Sequence, residues 1–159
     1  MSSRSRLLLV SLGLLALPPL LYLALAPRRL PPVALALPPL CELRAGPCVA
    51  RFEGGGAVAF QIEPRSLPPL QPLQLSVQVE DLDVNAVEIE IAGTDMNMGY
   101  NRVQLMATEN GIWVGQTTLP VCVRSRMNWE AKIYLSSPRG LMVAPFRFDT
   151  YSQSAGYGS

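Results

Sequence analysis

Three thioethers and a thiol stand in polar stretches of this chain: Met96 and Met98 in Gly93-Thr94-Asp95-Met96-Asn97-Met98-Gly99-Tyr100, and Cys122 and Met127 in Cys122-Val123-Arg124-Ser125-Arg126-Met127. Sulfur of this kind is soft and polarisable, and several such atoms placed in loops are the ligands a soft metal selects, Cu(I) above all. In an extended segment residues two apart project to the same side, so the Met96-x-Met98 spacing turns both thioethers toward one ion. Cys122 thiolate and Met127 would complete a soft ligand set, which suits Cu(I) and suits Mg²⁺ or Ca²⁺ poorly. The plainer reading is that the methionines fill irregular gaps at the open end of a core, with Asp95 and Asn97 as turn formers. Arg124 and Arg126 beside Cys122 either hold it as a thiolate or are simply solvated.

The chain has three cysteines, Cys41, Cys48 and Cys122. If they face an oxidising compartment, one disulfide and one odd thiol is the simplest arrangement. Cys41 with Cys48 would be a local bridge and Cys48 with Cys122 a longer clamp, and the sequence leaves both open. The absence of histidine removes the commonest zinc ligand and the usual general base of hydrolases. No nucleophile elbow, phosphate-binding glycine loop or carboxylate pair stands in its place, so no enzymatic activity is expected. Gly54-Gly55-Gly56 and Asp81-Leu82-Asp83 read as turns between strands. The six-residue gap between Cys41 and Cys48 is unlike the Cys-x-x-Cys of thiol-redox enzymes.

Four of the thirteen basic residues, Arg4, Arg6, Arg28 and Arg29, flank an apolar run at the N-terminus, which leaves nine basic against twelve acidic residues from Cys41 on. A net charge of −3 there argues against a nucleic-acid partner. The run itself, 7–26, is twenty uncharged residues, long enough to cross the roughly 30 Å hydrocarbon core as a helix. Pro27 directly after Ala24-Leu25-Ala26 fits a signal-peptidase site poorly, so an uncleaved anchor is expected. Arg4 and Arg6 place the N-terminus in the cytoplasm and the remainder outside. The division that follows is a cytoplasmic start and transmembrane anchor at 1–26, a stiff stalk with five prolines at 27–40, a domain at 41–150 and a disordered tail at 151–159.

Within 41–150 the apolar residues alternate with polar ones. Leu73, Leu75, Val77 and Val79 do so in one run, Val87, Ile89 and Ile91 in a second, and Trp129, Ala131, Ile133 and Leu135 in a third. Less regular runs near 48–53, 58–62, 102–107, 111–118 and 142–149 bring the total to seven or eight strands. The expectation is an all-β, immunoglobulin-like antiparallel β-sandwich behind an N-terminal transmembrane helix. In such a fold, loops separated by an even number of strands emerge at the same end. That parity puts the Met96/Met98 loop, the Cys122 loop and the start of the Cys48 strand at one end of the domain, which allows a shared site without fixing the distance between them.

The succession Asp95-Met96-Asn97-Met98-Gly99, Gly111-Ile112-Trp113-Val114-Gly115, Leu119-Pro120 and Met127-Asn128-Trp129-Glu130-Ala131 resembles the YtkA-like and FixH-like group of small membrane-anchored extracytoplasmic domains. The resemblance covers about half the chain; Cys122 and the Cys41/Cys48 pair lie outside its pattern. It implies a sandwich in the bacterial periplasm, tethered to the inner membrane, with a role in copper handling or cytochrome oxidase assembly. A respiratory oxidase or a copper-transfer protein would be the partner. The alternative expectation is an interaction module of a membrane complex that binds no metal and whose cysteines are structural.

Overall fold

A computed structural model describes residues 32–151 apart from 98, 100, 122 and 123, with the side chains of residues 32 and 33 also outside the description. The proposed membrane span at 7–26 and residues 152–159 therefore lie outside the described residues, among which no helix is long and apolar enough to cross a membrane.

The described chain is all β: β1 (Pro32–Leu35), β2 (Cys48–Arg51), β3 (Ala57–Glu63), β4 (Leu73–Glu80), β5 (Ala86–Gly93), β6 (Asn101–Ala107), β7 (Ile112–Thr117), β8 (Arg126–Ser137) and β9 (Gly140–Tyr151). The alternation seen in the sequence is what makes them strands. Leu73, Leu75 and Val77 of β4 are buried while Gln74 and Gln78 are exposed, and Trp129, Ala131, Ile133 and Leu135 of β8 are buried in the same register. The turns use the expected punctuation. In the β2–β3 turn the Phe52 amide donates to the Gly56 carbonyl and the Gly55 amide to that of Phe52. Gly56 has φ of 84°, and a side chain there would collide with that of Leu82.

The nine strands form one mixed sheet in the order β1-β9-β8-β5-β6-β7-β4-β3-β2. The sheet is curled, and β6 is its corner: Asn101 to Leu105 pair with β5, and only Met106 and Ala107 pair with β7. Curling brings the two halves face to face, so that Phe60 of β3 meets Phe146 of β9 with ring centroids 5.3 Å apart, although five strands separate β3 from β9 in the sheet. Val58, Ile62 and Leu75 from one half and Ile89, Ile133 and Ala144 from the other fill the same core.

Three expectations need correction. The proline-rich segment expected as a stalk contains a strand: β1 lies parallel to β9, and the Ala36 amide donates to the Val143 carbonyl at 2.9 Å. Pro32 is tolerated because it is the first residue of an edge strand, where its missing N–H breaks no ladder. The pairing is thus antiparallel everywhere except β1–β9, and the strands number nine. At the other end Tyr151, expected to begin the tail, is the last residue of β9 and pairs with Arg126.

β1 and β2 are consecutive in the chain yet sit at opposite margins of the sheet. Segment 36–47 therefore bridges the open side of the curl, pinned by Ala36 and Leu43, each 1% exposed. Phe146→Ala removes a ring from the contact between the halves and should cost about 3–5 kcal/mol, measurable by denaturant unfolding; a loss below about 1 kcal/mol would mean that the halves do not depend on this contact.

Candidate ligand-binding end

Strand register decides which loops share an end. β2 starts, and β3, β5, β7 and β9 finish, where β8 begins: Gly93 pairs with Trp129, Arg126 with Tyr151, and Leu73 with Thr117. The loops carrying Met96 and following β7, and the Cys41 to Cys48 loop, therefore lie at one end of the sheet, as strand parity predicts. One backbone and one side-chain hydrogen bond hold the first of them against β8. The Thr94 amide donates to the Asn128 carbonyl at 3.0 Å, and Asn128 Nδ2 donates to Asp95 Oδ2 at 2.7 Å. The Met96 loop is thereby tied to the first residues of β8, the strand that follows Cys122.

Met96 is half-buried against the core. Met127, grouped with a loop in the sequence reading, is on β8 and 1% exposed, one of the largest fully buried side chains. Its place is a core position under this end, because residues 127, 129, 131 and 133 alternate inward along the strand. Met98 and Cys122 lie outside the described residues. Among the described residues no group of three or more His, Cys, Asp or Glu side chains is gathered as metal ligands.

Cys41 and Cys48 form a disulfide with Cα atoms 5.8 Å apart. Of the two pairings the sequence left open, the local bridge is the one formed, and Cys122 is the remaining cysteine of the chain. Cys48 is buried at the start of β2 and Cys41 is exposed. The bridge closes a short loop that is further held by the Ala45 amide on the Glu42 carbonyl at 2.9 Å and by Arg65 Nη1 on the Ala45 carbonyl at 3.1 Å.

Between this loop and the ends of β8 and β9 lies a cleft of about 700 Å³, a size in the range of ligand sites. Arg44 enters from the disulfide loop, Arg126 from β8, and Arg147 and Tyr151 from β9. The Arg44 and Arg126 guanidiniums both lie over the Tyr151 ring, at 5.2 and 5.7 Å from its centroid. Arg126 Nε pairs with Asp149 Oδ2 at 2.8 Å, and Arg147 Nε approaches Glu130 Oε1 at 3.5 Å. Deeper in, Trp129 Nε1 donates to Thr150 Oγ1 at 2.9 Å, and its ring stacks on Phe148.

The sequence reading noticed Arg126 but not Arg44, Arg147 or Tyr151. The available signal was an arginine enclosed by two cysteines; nothing in the sequence places the end of β9 against it. No family model, curated protein or solved structure matches the chain.

The Tyr151 phenol is held above its ordinary pKa, first by its hydrogen bond to the Asp149 carboxylate, with the nearby guanidiniums pulling the other way. The raised folded-state value means that this bond contributes fully below the unfolded pKa, near 10.0, and that the contribution is lost as pH rises through the folded-state value. Asp149→Asn should lower the Tyr151 pKa, as followed by ring NMR shifts across an alkaline titration; an unchanged midpoint would show that Asp149 is not the cause.

Proposed function

We propose that this chain is a membrane-tethered, extracytoplasmic accessory domain that binds Cu(I) at its sulfur-bearing end, and either passes the ion on or supports assembly of a respiratory oxidase. The setting is the bacterial periplasm, with residues 7–26 in the inner membrane and the N-terminus in the cytoplasm. The fold would be an immunoglobulin-like sandwich: the β4–β7 pair and the β5–β8–β9 run correspond to the B–E and C–F–G pairings of that architecture. No turnover chemistry is assigned to it.

The observation that carries this reading is the tie between the Met96 loop and the start of β8. Hydrogen bonds from Thr94 and Asn128 fix the Met96 loop beside the strand that the Cys122 segment enters. The Cys41–Cys48 bond supports it further, since it occupies two of the three thiols and leaves Cys122 for the metal. Met96, Met98 and Cys122 form the proposed ligand set, and Met127, a core residue near the start of β8, is the fourth candidate. Thioether and thiolate ligands favour Cu(I) over harder ions.

The cleft favours a second reading from a different class: the same end holds a protein of a membrane complex, and Cys41 and Cys48 are purely structural. Competitive Cu(I) titration of the full chain under anaerobic conditions separates the two. Met96→Leu with Met98→Leu keeps apolar volume, so unfolding stability should change by less than about 1.5 kcal/mol while Cu(I) affinity falls. Cys122→Ser should weaken binding as well, and Met127→Leu should do so only if its thioether is a ligand. Stoichiometric binding that survives both the double replacement and Cys122→Ser would sink the copper site.

A further inference from the structure

Leu35, Leu37 and Leu40 are 66%, 75% and 107% exposed, and Pro38 between them is exposed as well. Alternate residues of an extended chain face opposite ways, and Leu35 and Leu37 flank the buried Ala36, so both turn outward. The outward positions of β4 carry Gln74 and Gln78, whereas here they carry leucine. No residue from Leu30 to Cys41 is charged. The ridge also has few donors to desolvate, because Pro38 and Pro39 have no N–H and the Ala36 amide is bonded to Val143. β1 stands at the margin of the sheet, so among the described residues no strand covers its outer side. An exposed apolar edge of this kind invites aggregation unless something covers it, and such patches mark surfaces for protein or membrane.

We propose that this ridge is seated on the surface of the lipid bilayer, with the side chains of Leu35, Leu37 and Leu40 dipping below the headgroups. This seating rests on the reading of 7–26 as a membrane anchor and goes beyond it. Chain length decides the occupant. Leu35 follows Ala26, the last residue of the apolar run, by nine positions, which reach about 30 Å at full extension. A bilayer that holds the run is therefore always within that reach of β1, at an effective concentration that no freely diffusing partner shares. The strand itself belongs at headgroup level, because its unpaired edge would be costly in hydrocarbon, and from there an apolar face enters as it does in interfacial segments. The seating requires no metal at the sulfur segments.

The test uses the full chain in phosphatidylcholine nanodiscs, one chain per disc, with leucine and methionine methyl groups followed by NMR. A lipid with a gadolinium chelate on its headgroup is compared with its diamagnetic lutetium counterpart. Paramagnetic relaxation should be several-fold greater at Leu35, Leu37 and Leu40 than at Met106, which is 72% exposed on β6 with three strands between it and β1. Leu37→Ser with Leu40→Ser changes side chains that stand in solvent, so the fold is kept, and the enhancement at Leu35 should fall several-fold. Equal enhancement at the ridge and at Met106, or an unchanged Leu35 in the double variant, would overturn the proposal. Ridge signals that ignore the gadolinium lipid but shift at two chains per disc would overturn it in favour of a second copy of the chain. A chain that alkaline carbonate washes off phosphatidylcholine vesicles has no anchor, which overturns the anchor reading and the seating together. An anchored chain without ridge enhancement overturns the seating alone.

Discussion

The structure depends on the packing of one sheet against itself. A nine-strand sheet cannot bury its apolar face while flat, and curling at β6 sets that face against its own other half. The contact between Phe60 and Phe146 marks where the halves meet. Leu105 at the corner packs over Gly115, where any side chain on the glycine would occupy the same space. Close approach at this point is what lets β6 serve both halves, so a bare backbone in β7 is part of the curl.

Closure of the curl determines what happens at its margins. The strands that flank the opening are β1 and β2, and the chain between them has to cross it. That crossing carries the disulfide and Arg44, and Ala36 and Leu43 are drawn into the core on the way while Leu37 and Leu40 stay exposed. A segment rich in proline thereby becomes structural, anchored at Ala36 and Leu43. The same crossing forms one wall of the cleft, so the architecture of the domain and the geometry of its candidate site have a common origin.

Electrostatics at that end are arranged by register. The Arg126–Tyr151 pair, the Asn128–Asp149 pair and the Glu130–Arg147 pair follow one another across β8 and β9. Arg126 and Asp149 bond diagonally, and Arg147 leans on Glu130. These surface ion pairs contribute little to stability individually.

The sequence by itself determined the all-β class, most strand positions and the end of the domain at which the loops of interest emerge. Each follows from a local rule: period-two alternation in β4, β5 and β8, glycine and aspartate at turns, and strand parity. The expectation of soft ligands at Met96, Met98, Cys122 and Met127 rests on residue type and spacing alone. Only the tertiary structure decided the rest. The β1–β9 pairing joins residues more than one hundred positions apart, and the choice of Cys41 as the partner of Cys48 depends on how the crossing segment lies. Met127 reads as a loop residue beside two arginines, and its burial is visible only once β8 is known to begin at Arg126. The cleft is built by Arg44, Arg126, Arg147 and Tyr151, which no sequence period links. Curling of the sheet brings them together, and curling is a property of the whole packed surface.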